Sequence, residues 1–173
     1  TALLEIATLY GTCAWTADGS TQELDFELNR DRPETMLALP KGTENATLNI
    51  EARHRTDEAS LRLGPFPAAA TTLGLYSLPE YGPHAIEIDC AFDDGQNFYA
   101  IELLPEDRDE SAAELAVMHF TPGTPKKQWS YFAESPFKAG YRYRPQRRRG
   151  ETPAAWSEVQ SPFTALQIQA KAE

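Results

Sequence analysis

The 173-residue chain is predicted to be all-β, built as two tandem antiparallel β-sandwich domains. Three observations lead there. Apolar residues recur with period two in segment after segment, which is the signature of half-buried strands. Thirteen prolines and ten glycines interrupt every stretch long enough for a sustained helix. One motif, Cys-Ala-aromatic followed by an Asp-Gly turn, occurs once in each half.

In the first half the alternating sets are Leu4, Ile6, Thr8 and Tyr10; Leu24, Phe26 and Leu28; Leu48, Ile50 and Ala52; and Leu73 with Leu75. In the second they are Ile86, Ile88, Cys90 and Phe92; Tyr99, Ile101 and Leu103; Leu115, Val117 and His119; Trp129, Tyr131 and Ala133; Tyr141 and Tyr143; and Thr164, Leu166 and Ile168. Turn signals separate them, among them Asp18-Gly19, Asp94-Gly95 and Pro122-Gly123. The stretch from Pro105 to Glu114 is short and strongly acidic, and is read as a loop with at most one helical turn. Short strands without crossover helices imply antiparallel layers.

The repeat sets the domain count. Thr12-Cys13-Ala14-Trp15 matches Asp89-Cys90-Ala91-Phe92, and segment 23–31 matches 99–107. Segment 46–53 then parallels 139–146, and 64–76 parallels 161–170. The order is the same in both halves, with extra residues in the second between Asp107 and Trp129. The predicted domains are therefore 1–79 and 80–173, the second carrying an inserted strand near 114–121.

These residues resemble the fibronectin type III family of immunoglobulin-like sandwiches. Tyr10 to Trp15, a turn, then Leu24 to Leu28 is similar to that family's strands B and C. Phe137 to Arg144, followed by Trp156-Ser157, is similar to its strands F and G. The resemblance implies core positions for Trp15 and Phe92 and a corner role for Tyr141. Copy one departs from it, with Leu48 where the corner tyrosine belongs. If Trp15 is a core residue, its truncation to alanine should cost about 3–5 kcal/mol.

A net charge of −10 excludes general nucleic-acid binding, which needs a cationic face. No apolar run reaches the roughly 20 residues of a membrane helix, so no membrane insertion is expected. Cys13 and Cys90, at matching places in separate domains, are expected to be buried free thiols. The start without Met suggests a segment cut from a longer protein, and processing would look the same. The duplication, the short linker and the lack of a catalytic site point to a module pair from a larger bacterial surface or secreted protein. An extracellular or cell-surface setting is favoured over the cytoplasm, and the segment is expected to be monomeric.

The chemistry-bearing motifs are sparse. His54, His84 and His119 lack metal-ligand spacing, and neither a nucleophile elbow nor a phosphate loop is present. No catalytic residue, cofactor or metal is expected. Asp93, Asp94 and Asn97, with Asp89 near, offer hard oxygens to Ca²⁺, but a hairpin turn uses the same residues and is the expected reading.

Charge is segregated. Residues 87–114 are acidic save for Arg108, and 122–150 are basic save for Glu134. Arg142 and Arg144 alternate with Tyr141 and Tyr143, so inward tyrosines place the arginines on the outer face. With Lys138, Arg147, Arg148, Arg149 and Trp156 they form the candidate binding surface for an acidic partner or a sugar acid. The competing reading is internal, in which segment 87–114 neutralises this face.

The expected function is a non-catalytic structural or protein-interaction module pair, its partner another protein or neighbouring domains of the same chain. The alternative is a carbohydrate-binding sandwich stacking sugars on exposed Trp129, Tyr131 or Trp156.

Overall fold

A computed structural model describes residues 5–41, 43–56, 58–68, 72, 77–111, 114–146 and 152–170. Among them are ten β-strands and no α-helix, so the protein is all-β. The chain divides into two compact units, Thr1–Leu78 and Pro79–Glu173.

The first unit holds β1 (Ile6–Ala17), β2 (Ser20–Asn29), β3 (Glu44–His54) and β4 (Ser60–Pro67) in one antiparallel sheet ordered β2-β1-β3-β4. Asp18 and Gly19 close the β1–β2 hairpin, both at positive φ (51° and 74°), the two-residue geometry that Asp-Gly favours. Leu9, Gly11 and Cys13 face Ala52, Ile50 and Leu48 across the β1–β3 ladder. Cys13, Ile50 and Ala52 are buried there. The ring of Phe26, opposite Gly11 in the ladder, fills the space a Cβ on Gly11 would need.

One expectation about β1 is corrected. Thr8 and Tyr10 do not join the apolar face; Tyr10 pairs with Glu51 and lies 4.4 Å under the Arg53 guanidinium. The register shifts between Ile6 and Thr8, and a one-residue slip exchanges the faces of everything beyond it. Trp15 is only half-buried, and its indole Nε1 is shielded without a hydrogen-bond partner, so it is not the central core residue expected.

β4 is not among the alternating sets read from the sequence, and it contains Pro65 and Pro67. It lies at the sheet edge, where proline is tolerated, and contains a cis Gly64–Pro65 bond. The strand predicted at Leu73 and Leu75 lies outside the described residues. What is described in this unit is a single sheet, not two facing ones.

The second unit holds β5 (Gly82–Phe92), β6 (Tyr99–Pro105), β7 (Ala116–Phe120), β8 (Lys126–Ala133), β9 (Tyr141–Pro145) and β10 (Leu166–Ala170). They form two three-stranded sheets, β10-β5-β8 and β7-β6-β9. Ile86, Ile88, Cys90, Trp129, Leu166, Ile168 and Ala170 of the first share one core with Ile101, Leu103, Phe120 and Tyr141 of the second. This layering is consistent with a β-sandwich. A strand is present in the interval where an inserted one was expected, as β7 beside β6. The described part of the acidic stretch after Pro105, residues 106–111, is made of turns and bends with no helix.

The two units differ in plan. β1 pairs with both β2 and β3 in one sheet. β5 pairs with β8 and β10, while β6 and β9, which match β2 and β3 in sequence, lie in the other sheet. The repeat motif therefore marks a similar strand in each unit, a central one with a buried cysteine, and not the same sheet. Both thiols are free and buried, and burial raises the pKa of each.

After β9 the chain returns alongside it. Ser157 N–H donates to Tyr143 O (2.9 Å) and Gln160 N–H to Tyr141 O (2.7 Å). It then changes sheets, and β10 runs parallel to β5 with Leu166 beside Ile88. Gly140 permits this return: a Cβ there would lie 2.8 Å from Gln160 O and 2.9 Å from Glu106 Oε2. Gly140→Ala should therefore lower stability by about 1–3 kcal/mol, the range for overpacking. A urea midpoint equal to the parent's, at unchanged slope, would remove that contact from the account.

The core is aromatic along β8 and β9. Trp129 stacks on Tyr131 (4.5 Å between centroids, 22°) and meets Tyr141 edge-on (5.5 Å, 69°). Tyr131 Oη donates to Ala139 O at 2.5 Å, which ties β8 to the turn before β9.

Burial, helped by the field of Tyr143, pushes the Tyr141 phenol from 10.0 up to about 12. Burial raises Tyr131 further, with Tyr141, Asp107 and Glu106 nearby. Raised phenol pKa values stabilise the fold fully below pH 10, where both states hold the proton. That contribution is lost as pH climbs from 10 through 12, because the unfolded chain ionises first. Tyrosinate absorbance should thus show a late fraction appearing together with loss of the β-sheet circular dichroism signal. If all seven tyrosines titrate together near pH 10 with the fold intact, the burial of these two is wrong.

Candidate binding surface

Alternation puts the arginines of β9 where the sequence predicts. Tyr141 enters the core, and Arg142 and Arg144 lie on the other face of the β7-β6-β9 sheet. Arg142 is exposed, but Arg144 is only 7% accessible. Two loops account for the difference, segment 105–111 after β6 and segment 152–158 after β9.

Arg144 is held from three sides. Its Nε donates to Glu102 Oε2 at 2.7 Å, directly across the β6–β9 ladder. Its Nη2 lies 2.8 Å from Glu110 Oε1. Its guanidinium carbon sits 4.1 Å above the Trp156 ring centroid, a cation–π contact. The indole Nε1 of Trp156 donates to the other Glu110 oxygen at 2.8 Å, closing the circuit. Ser157 holds Trp156 in place: Tyr143 N–H donates to Ser157 Oγ (3.1 Å), and Ser157 Oγ donates to Glu158 O (2.8 Å).

The electrostatics follow from this packing. Burial disfavours the Arg144 charge, but hydrogen bonds and fields from Glu102 and Glu110 outweigh it and raise its pKa. The Trp156 hydrogen bond, then that of Arg144, hold Glu110 below the usual carboxylate range. The guanidinium face that a ligand would use is covered by protein.

Three other acids of the segment are engaged as well. Asp107 Oδ2 accepts from the backbone N–H groups of Glu134 (2.5 Å) and Ser135 (3.3 Å), pinning the β8–β9 turn. Glu106 accepts from Gly140 N–H, Arg108 reaches Glu134 at 2.7 Å, and Asp89 pairs with Lys126 at 3.0 Å. The internal reading of the opposed charges thus accounts for Arg144 and Lys126, while Arg108 and Glu134, the exceptions in their segments, pair with each other. Arg147, Arg148 and Arg149 lie outside the described residues, so of the predicted surface the structure brings together Arg144 and Trp156 and leaves Arg142 open.

Of the aromatics proposed for stacking sugars, Trp129 is buried at 9% accessibility, Tyr131 packs against the core, and Trp156 is half-covered by Arg144. In the Asp93–Asn97 turn, Gln96 N–H donates to Asp93 O (3.1 Å) and Gln169 to Asp93 Oδ1 (2.9 Å). Among the described residues no three His, Cys, Asp or Glu side chains gather as metal ligands. His84 is buried against Tyr131 and Phe163, with Nε2 3.0 Å from Glu80 O.

The parts sequence reasoning missed are Glu102 and Glu110 as the individual partners of Arg144. The opposed charge blocks were the available signal, and which acid meets which base depends on ladder register. Comparison with known proteins finds no match among family models, curated proteins or solved structures.

Proposed function

We propose that the chain is a non-catalytic module pair of the fibronectin type III kind that acts as a spacer and protein-binding segment of a larger bacterial surface or secreted protein. The observation that carries this reading is the Glu102–Arg144–Glu110–Trp156 circuit. The residues best suited to ligand chemistry serve as a fastening between two loops and a sheet. The strand plan of the second unit supports the family: β5 with β8 in one sheet, and β7, β6, β9 and the 157–160 return in the other, follow the order B, E and C′, C, F, G.

The binding role belongs to the arginines beyond the circuit, Arg142 with Arg147, Arg148 and Arg149, facing an acidic protein surface. Calorimetric titration with a poly-glutamate peptide tests it. The parent chain should bind in a salt-sensitive way, and replacing the four arginines by serine should abolish binding without moving the unfolding midpoint. Equal binding by both proteins would reject this surface, and saturable binding of a neutral oligosaccharide would move the function to sugar recognition.

A further inference from the structure

Edge strands carry unpaired N–H and C=O groups, and proteins guard them with charge, proline or cover. Most edges here are guarded. β2 presents Glu23, Asp25 and Glu27, β4 contains Pro65 and Pro67, and β8 opens with Lys126 and Lys127. β10 shows only glutamines outward, one of them bound to Asp93. On its outer side β9 is bonded to Ser157 and Gln160.

β7 differs. Its sequence is Ala-Val-Met-His-Phe, with no Asp, Glu, Lys or Arg and no proline, and among the described residues it pairs only with β6. Its outward residues extend an apolar strip. Val117 is 42% exposed, and His119 meets the 58% exposed ring of Phe98 edge-on at 5.4 Å. An unguarded edge beside an exposed apolar strip is the arrangement that accepts another strand.

We infer that β7 pairs antiparallel with β7 of a second copy of this chain, about a two-fold axis at Met118. The occupant is argued from charge and shape. The chain carries −10, so a self-interface needs a neutral contact, and β7 is the edge that combines neutrality with an apolar outer face. Self-pairing of β2 about Asp25 would set acids against acids. Around Met118 the β7 sequence complements itself. Val117 falls opposite His119 on the outer face, and small Ala116 falls opposite large Phe120 on the inner one. The pairing is isologous and joins two three-stranded sheets into one of six.

Five residues per strand give a small interface, so the dimer is weak and strengthened by salt, which screens the net charge. Sedimentation of the full chain over a concentration series should show a reversible monomer–dimer equilibrium, tighter in high salt. Val117→Lys places two cations diagonally across the two-fold and should weaken dimerisation by at least about tenfold. Val117→Glu should do the same, and an equimolar mixture of the two variants should recover a heterodimer. Both substitutions are on an exposed position, and unchanged unfolding midpoints confirm that the fold persists. A parent chain monomeric at every concentration and salt overturns the inference, as does a dimer that both variants form as well as the parent. Capture by β7 of an unrelated extended peptide, with no self-association, assigns the edge to another occupant and equally overturns it.

Discussion

Replacing Trp129 by alanine is expected to cost the second unit about 3–5 kcal/mol, the range for deleting a buried aromatic side chain. Trp129 is buried between two sheets and stacks on Tyr131 while meeting Tyr141 edge-on. Its loss removes the apolar area and both ring contacts, and leaves a cavity that a close-packed core fills poorly. A domain of this size has about 5–15 kcal/mol in total, so the variant should unfold at far lower urea than the parent. Trp15→Ala provides the contrast. The less deeply buried Trp15 should cost less than Trp129, because less of it leaves water on folding. Equal losses at the two positions would mean that the core of one unit is misplaced.

Arg144→Ala is expected to cost about 2–3 kcal/mol. Removing one partner of a fully buried ion pair typically costs about 3–5 kcal/mol, chiefly because the other charge stays behind unpaired. Here the left-behind charge is Glu102, 13% accessible in its side chain, whereas Glu110 is 46% accessible and can turn to water. Solvent screening on the Glu110 side therefore sets the lower figure. The paired replacement Glu102→Leu with Arg144→Met should recover most of the loss, since an apolar pair leaves no buried charge behind. Arg142→Ala, at the exposed position two residues earlier, should change stability by less than about 0.5 kcal/mol. If urea unfolding cannot distinguish Arg142→Ala from Arg144→Ala, the circuit contributes nothing to the fold.

Much of the fold was legible in the alternation of apolar residues. The Ile86–Cys90 and Tyr99–Leu103 sets are the inward faces of β5 and β6, and Asp18-Gly19 closes the hairpin its composition implies. What was hidden follows from non-local physics. β4 contains two prolines, and only its place at an edge makes them acceptable. The register shift beyond Ile6 moves Thr8 and Tyr10 to the polar face, and no local pattern announces it. The change of sheet before β10 and its parallel pairing with β5 depend on how the last segment closes the core, far from its sequence neighbours.

The candidate surface was half legible for a related reason. Alternation between Tyr141 and Arg144 reports which side of a strand a residue takes, and it was right about the arginines. It says nothing of what loops do above that side. The turns after Pro105 bring Glu110, and the return after β9 brings Trp156, so a residue read as solvent-facing became one of the least accessible polar groups in the unit.

The central claim is that Arg144 and Trp156 are engaged with each other, as a fastening, and are not held open for a ligand. A double-mutant cycle on urea unfolding tests it most directly, using Arg144→Met, Trp156→Leu and the combination. The geometry of a guanidinium 4.1 Å above an indole predicts a favourable coupling of about 1 kcal/mol. A coupling within about 0.3 kcal/mol of zero, the range of independent sites, would contradict it.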